Sequence, residues 1–228
     1  MSLMLHEVLL SYRKPFFGIT IVSTTKTTGT TVAYPAGVKA GDLLIYFDRG
    51  AHLNVDFPFV VPAGFTSISQ NIGLGVSNKR KVAASYRLAT GPLTGNVTGM
   101  DAVSGGSGSN SKAMFLIREV TGLAFTAVTH TNYGYASSAT VDPISHTSAT
   151  TGLATNSVFF SQGAAGTISS VTSLVSNQVF DAVNTPSAEH KVGYKTYTNG
   201  ATADNTVTSN ASGGNLFYVD GFALTFDV

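Results

Sequence analysis

The fold of this chain is decided by one apolar run, Asp42-Leu43-Leu44-Ile45-Tyr46-Phe47. The run is short for a helix and is typical of a β-strand that is buried on both faces. Turn residues in segment 36–41 precede it, and residues 48–64, which include Pro58 and Pro62, predict a long loop after it. Residues 42–47 therefore predict a fully buried strand.

Further strands are predicted on both sides of this run. They are rich in aromatic and β-branched residues, or they alternate between apolar and polar positions. The Gly/Ser segment 104–111 has no propensity for regular structure and predicts a loop. The other strands predicted in the first half are 16–22, 32–34, 65–69, 81–90, 96–98 and 112–120.

The second half of the chain repeats this plan. Segment 156–161 stands where the run at 42–47 stood, and segment 190–198 resembles 81–90. Each half then continues with a short Thr/Val strand and closes on a long apolar strand, at 205–208 and 216–226 in the second half. Two four-stranded halves that face each other predict an all-β fold, a jelly-roll-like antiparallel β-sandwich with little helix.

We predict a single β-sandwich domain over residues 16–228. It is made of two similar halves, at about 16–122 and 123–228, and a short N-terminal arm over residues 1–15 precedes it. Domains of this length have enough residues for a sizeable hydrophobic core.

The arm contains a dense set of apolar side chains and lacks the basic start and cleavage pattern of a signal peptide. An apolar chain end needs a partner, either its own domain or a neighbouring subunit, because exposed apolar clusters promote aggregation. We favour another protein as the partner. The predicted partner-binding residues are Leu3, Met4, Leu5, Val8, Leu9 and Tyr12.

The composition excludes several classes of protein. The chain has no cysteine, which excludes a disulfide scaffold, a Cys-ligated zinc site and a thiol nucleophile. The formal net charge is +1, which argues against electrostatic binding of nucleic acid or an anionic membrane. No apolar run approaches the ~20 residues of a membrane span.

The charge is nevertheless uneven along the chain. Residues 1–114 have 10 basic and 5 acidic side chains, whereas residues 115–228 have 3 and 7. This difference reflects either chance and lysines at sheet edges, or a subunit with opposite faces that packs head to tail with copies of itself.

The sequence predicts no enzyme and no cofactor. It contains 3 Glu and 9 Asp, and the spacings of zinc-protease, dinucleotide and phosphate-loop motifs are absent. The nearest approach to a metal site is Asp48, His52 and Asp56, spaced four apart in the predicted loop. A solvated loop is the favoured interpretation, and a cation site is the alternative.

A tyrosine-rich segment is a candidate glycan-binding site. Asn132, Tyr133 and Tyr135 lie close together in segment 131–135, where an extended backbone would place both tyrosines on one side. Tyrosine rings beside an amide suit sugar binding or a protein contact, because they combine a flat apolar area with a polar tip. The alternative is a β-turn whose rings lean on the sheet.

Three motifs carry a resemblance to a known family. Residues 40–47 (AGDLLIYF), residues 62–68 (PAGFTSI) and a long strand that ends in Ala89-Thr90-Gly91 follow one another in this order. They resemble the pattern GDLL, PxGFT or PxGWT, and YKxATG of a β-sandwich module of tailed-bacteriophage virion proteins. The similarity covers about residues 40–120 in motif and about 30–228 in plan. The chain departs from the pattern at Phe65, where Trp is common, and in its arm.

The resemblance implies a non-enzymatic virion component, such as a head decoration protein, a head spike or a tail-fibre part, and it transfers no catalytic residue. A cysteine-free, charge-poor β-protein suits a particle assembled in the reducing bacterial cytoplasm. Few lysines on many strands predict edges that partners close, and therefore a homo-oligomer, for example a trimer, bound to other virion proteins. The alternatives are a carbohydrate-binding receptor module and, disfavoured by the scarcity of Glu, a depolymerase.

Overall fold

The computed structural model describes the side chains of residues 19–50, 58–72, 81–100, 110–120, 124–130 and 224, and the backbone of the remaining strand residues. All elements in the described part are β-strands, which confirms the all-β prediction. Among these residues, no helix is present that could span a membrane.

The first half forms seven strands along the described chain. Their bounds are β1 (Ile19–Thr27), β2 (Thr31–Ala33), β3 (Leu43–Leu53), β4 (Thr66–Gly73), β5 (Asn78–Leu88), β6 (Asn96–Thr98) and β7 (Ser109–Glu119).

The second half forms a longer series of strands. Their bounds are β8 (Ala127–Ser138), β9 (Ile144–Thr150), β10 (Ser157–Ala165), β11 (Ile168–Ser173), β12 (Gln178–Thr185), β13 (Ala188–Tyr197), β14 (Ala203–Ala211) and β15 (Phe217–Asp227).

The predicted central strand lies in the middle of the first large sheet, whose strand order is β1-β7-β3-β5-β4. Residues 43–47 of β3 are at most 1% exposed, which confirms burial on both faces. Leu43, Ile45 and Phe47 belong to one core cluster, and Leu44 and Tyr46 belong to another. Alternate residues of a strand point to opposite faces, so this sheet separates two layers of core.

The second large sheet has the order β12-β13-β10-β15-β8 and packs against the first. At one side β4 contacts β8 and β15, and at the other β7 contacts β12 and β13. Leu224 of β15 is fully buried in the same cluster as Phe47 and Phe115. The two sheets therefore form a β-sandwich around this cluster.

Two smaller sheets complete the architecture. The pair β2-β6 places Val32 and Val97 in the cluster that contains Leu44 and Tyr46, so it covers the other face of the first large sheet. The three-stranded sheet β11-β14-β9 contacts strands β10, β13 and β15 of the second large sheet. The predicted pair of four-stranded halves is thus too simple, because each large sheet has five strands and packs against a smaller sheet as well.

The strand order is the same in the two halves. The first large sheet is β1-β7-β3-β5-β4, and the second, read from its other edge, is β8-β15-β10-β13-β12. The pair β2-β6 corresponds to β9-β14, and β11 is an additional strand beside β14. Each large sheet takes all its strands from one half of the chain.

The structure corrects two predicted loops. Strand β3 continues to Leu53, so Asp48 lies within a strand and not in a loop, and β7 begins at Ser109 inside the predicted Gly/Ser loop. Both strands pair with neighbours beyond their apolar residues, since Asp48 pairs with Lys112 and Ala51 pairs with Ser109. Cross-strand pairing in the interior of a sheet therefore extends strands through polar residues that have low strand propensity.

Candidate functional site

The first of the resemblance motifs forms a corner that ties β7 to the turn before β3. The buried carboxylate of Asp42 accepts hydrogen bonds from Arg118 through Nε at 2.7 Å and Nη2 at 2.6 Å. It also accepts one from the main-chain N–H of Lys39 at 2.9 Å. Arg118 Nη2 also donates a hydrogen bond to the carbonyl oxygen of Gly37. The two bonds from Arg118 to Asp42 form a charge-assisted bidentate pair, which fixes the geometry of the corner.

The pKa of Arg118 is raised above its ordinary value, chiefly by its hydrogen bonds with Asp42. Arginine keeps its charge at ordinary pH, so the contact with Asp42 serves to hold the Arg118 side chain in place.

The second motif forms a turn that directs an aromatic side chain into the core. Gly64 has a φ of 80°, which favours glycine, and the N–H of Phe65 donates to the carbonyl of Pro62 at 3.0 Å. Phe65 packs edge-on against Tyr46, with ring centroids 5.9 Å apart. Phenylalanine at this position therefore acts as a core residue, and the motif serves the fold.

A buried polar cluster lies beside this core. Lys112 Nζ donates to Asp48 Oδ1 at 2.9 Å, and both side chains are fully buried. Asp48 Oδ2 accepts from Tyr46 Oη at 2.9 Å and from the main-chain N–H of Met100 at 2.5 Å. Lys112 Nζ donates also to the carbonyl of Met100 at 2.7 Å. We call Asp48, Lys112, Tyr46 and the main chain of Met100 the Asp48 cluster.

The Asp48 cluster fixes the segment that leads into residues 101–108. Gly99 lies so close to it that a Cβ on Gly99 would clash with Tyr46 Oη and Asp48 Oδ2. Burial raises the pKa of the Asp48 carboxyl, and the attraction of Lys112 and the hydrogen bonds lower it without fully offsetting the rise. The cluster is therefore an internal clamp between β3, β7 and the segment at Gly99 and Met100.

The same contacts bear on Asp48, one of the three residues of the cation alternative at Asp48, His52 and Asp56. Both carboxylate oxygens of Asp48 are taken up by protein donors, so a cation there would compete with the ammonium of Lys112. His52 lies in β3, and Asp56 lies outside the described residues. In the part of the chain that the structure describes, no group of three or more His, Asp or Glu residues could hold a metal ion.

The glycan-binding candidates lie on an edge strand. Asn132, Tyr133 and Tyr135 belong to β8, at the edge of the second large sheet, and form a strand instead of the alternative β-turn. Asn132 pairs with Phe222 and Tyr135 with Asp220, so β8 has an additional residue at Tyr133–Gly134. This bulge interrupts the regular alternation on which the prediction of one shared side depended.

The partner-binding residues predicted in the arm lie outside the described residues. They are Leu3, Met4, Leu5, Val8, Leu9 and Tyr12. Among the described residues, exposed apolar side chains occur on two edge strands, at Val22 of β1 and Ile72 of β4.

The local sequence pattern does not identify Lys112 or Arg118 as the ionic partners of Asp48 and Asp42. The strand predicted over residues 112–120 begins at Lys112 and contains Arg118, and the sequence indicates no partner for either. The available signal was that both basic residues lie in one long apolar strand, because a charge in such a strand is retained only when it is paired. No protein-family model matches this chain, and no curated protein matches it.

Proposed function

We propose that the chain is a non-enzymatic structural subunit of a phage or phage-like particle. It would attach to the head or tail surface as a decoration, spike or fibre subunit, together with copies of itself and other virion proteins, after synthesis in the bacterial cytoplasm. The observation that carries this proposal is that two of the three motifs of the resemblance serve the architecture. Asp42 closes a corner, and Phe65 fills a core cluster.

The use of the buried charges supports a structural role. Asp48 and Lys112 neutralise each other, and both also bind the main chain at Met100. Asp42 and Arg118 likewise bind the main chain at Lys39 and Gly37. Catalytic groups are usually presented at a cleft, where they can reach a substrate. These groups instead connect distant segments of one domain, which is a means of rigidity in a chain without cysteine.

The strand order supports the jelly-roll part of the proposal. In a jelly roll of eight strands the first strand pairs with the last, the last with the third, and the third with the sixth. The second half has this order in β8-β15-β10-β13, with β9-β14-β11 as the facing sheet. Strand β12 departs from it by pairing with β13. We infer that the chain contains two jelly-roll-like halves that share a central sandwich.

The proposal is tested on purified particles. Tailed particles from an induced culture of the bacterium that encodes the chain are expected to contain it in a fixed ratio to the major head protein. Antibodies against the purified chain are expected to mark the head or tail surface in electron micrographs. Recovery of the chain only in the soluble lysate would contradict the proposal. Release of saccharides from host capsule by the purified chain would contradict its non-enzymatic part.

The arm gives a prediction of its own. Deleting residues 2–14 is expected to abolish attachment to the particle and to leave the thermal unfolding midpoint of the domain nearly unchanged. The reason is that the apolar side chains of the arm are expected to pack on another protein, while the described sandwich has its own buried core. Particle co-sedimentation and thermal unfolding measure the two effects. A truncated chain that fails to fold would assign the arm to the domain core.

The bulge in β8 favours a second candidate function, a lectin-like receptor-recognition module. Bulges at sheet edges redirect side chains and occur beside binding sites. Tyr133 and Tyr135 flank the glycine of this bulge. On a glycan array, the purified chain would retain a defined sugar, Tyr133→Ala would lose it, and Tyr133→Phe would keep it because the ring provides the stacking surface. Absence of any retained glycan would exclude this function.

A further inference from the structure

One edge strand differs from the others in the regularity of its pairing. Register shifts occur in the pairs β1–β7, β4–β5, β8–β15, β11–β14 and β12–β13. In each of these pairs the additional residue lies on the strand at the sheet edge. The interior pairs β3–β5, β3–β7, β10–β13 and β10–β15 run in unbroken register along their described length.

These edge bulges protect the sheets from unwanted pairing. A bulge bends and twists the strand, so the outward row of N–H and C=O groups no longer matches a second strand along its whole length. Val22 is the additional residue of β1, and Ile68 is that of β4. The edges of both large sheets are therefore poorly suited to docking another strand.

Strand β9 is the exception among the described edge strands longer than three residues. It pairs with β14 from Ile144 to Thr150 without a register shift and lies at the edge of the three-stranded sheet. It contains no Lys, Arg, Asp, Glu or Pro. Its seven residues span roughly 24 Å at ~3.4 Å per residue, and no described strand pairs with its outer edge.

We propose that the outer edge of β9 pairs antiparallel with β9 of a second copy of this chain, about a two-fold axis at Thr147. This inference rests on the self-assembly that the proposed function includes, and it identifies the outer edge of β9 as the surface through which two copies associate. The register places Ile144 opposite Thr150, His146 opposite Ser148, and Thr147 opposite itself. The pairing joins the three-stranded sheets of two copies into one continuous sheet.

The chemistry of β9 favours its own copy as the occupant. A two-fold contact brings identical edges together, so a charged residue near the axis would meet its own charge, and β9 has none. Thr–Thr and Thr–Ser neighbours across strands are favourable because their hydroxyls hydrogen-bond. Strand β1 illustrates the contrast, since Lys26 and the bulge at Val22 both oppose such pairing.

The test is the mass of the full chain in solution, measured by light scattering after size-exclusion chromatography. The wild-type chain is expected at twice the chain mass of 23.6 kDa. Thr147→Lys and Thr147→Asp are each expected to weaken the dimer about fivefold, because like charges directly opposite repel. An equimolar mixture of the two variants is expected to restore the dimer. Thr24→Lys, the same change at an exposed position of bulged β1, is expected to leave the mass unchanged.

A second pair of variants changes residues on the other face of β9, and it is used if lysine at Thr147 prevents folding. His146→Lys/Ser148→Lys places lysine opposite lysine in both copies and is expected to be monomeric. His146→Asp/Ser148→Lys places opposite charges together and is expected to be dimeric. Circular dichroism verifies that each variant is folded.

Several outcomes would overturn the proposal. They are a monomeric wild-type chain, a trimer that these substitutions leave intact, and a dimer that the mixed variants fail to restore. A further outcome is that the deletion of residues 2–14 also removes the oligomer while a mixture of the two Thr147 variants fails to form the dimer. In that case the arm of a neighbouring copy would be the occupant of this edge. Particle association is measured separately. A β9 dimer absent from particles would contradict the proposed function alone, and a monomer found on particles would contradict the β9 contact alone.

Discussion

Lys112→Met is expected to lower the free energy of unfolding by about 3–5 kcal/mol, because it leaves the buried carboxylate of Asp48 without its cation. Lys112 and Asp48 are both fully buried, and Lys112 also donates to the carbonyl of Met100. The loss is measured by urea unfolding. Arg118→Met is the comparison, and its effect is expected to be smaller, because the Arg118 side chain is 23% exposed and water can partly replace it at Asp42.

Removing both charges is expected to be milder than removing one. The double variant Asp48→Asn/Lys112→Met keeps an acceptor for Tyr46 Oη and the Met100 N–H, and it leaves no unpaired charge. Its unfolding free energy is therefore expected to exceed that of Lys112→Met. Equal losses in the single and double variants would show that lost packing, and not the unpaired charge, determines the effect.

The pH dependence of Lys112→Met follows from the same cause. In the wild-type protein the pKa of Asp48 is raised above its ordinary value near 3.8 by burial, and Lys112 opposes this rise. Without Lys112 the folded-state pKa rises further. A raised folded-state pKa gives stability that is present at low pH and lost as the pH increases through that pKa. The deficit of Lys112→Met relative to the double variant is therefore expected to be smaller at about pH 4 than at about pH 7.

The sequence allowed the central strand to be predicted because its residues require burial regardless of their neighbours. The run at 43–47 is apolar throughout and too short for a typical helix, so a strand covered on both faces is the structure that removes all of it from water. The short strand 96–98 was also predicted with its observed bounds, because turn residues flank it. Composition and local pattern were sufficient for these elements.

The contacts of the candidate site depend on cross-strand register, which the sequence does not display. Asp48 and Lys112 are 64 residues apart and become neighbours only because β3 pairs with β7 in one register. The bulge at Tyr133–Gly134 likewise arises from the pairing of β8 with β15. Alternation along a single strand could therefore identify candidate residues but could not establish which of them share a face.

Gly41→Ala is the second substitution with a large expected effect, about 2–5 kcal/mol of unfolding free energy. Gly41 has a φ of 82°, and placing alanine in this left-handed region costs roughly 1–2 kcal/mol. The new Cβ would also clash with Ala124, through both its Cβ and its Cα, and overpacking of this kind costs about 1–3 kcal/mol. Because Gly41 also accepts a hydrogen bond from the Phe125 N–H, the clash would push apart two segments that this bond joins.

Gly37→Ala is the matched control, because it separates backbone strain from the clash. Gly37 has a φ of 81°, and a Cβ there would meet no atom within 4 Å. Its substitution is therefore expected to cost only the roughly 1–2 kcal/mol of the left-handed conformation. Urea unfolding measures the difference between the unfolding free energies of Gly41→Ala and Gly37→Ala. This difference gives the cost of separating the turn before β3 from the segment at Ala124 and Phe125. If both variants lost the same stability, the close approach of Gly41 to Ala124 would contribute nothing to the fold.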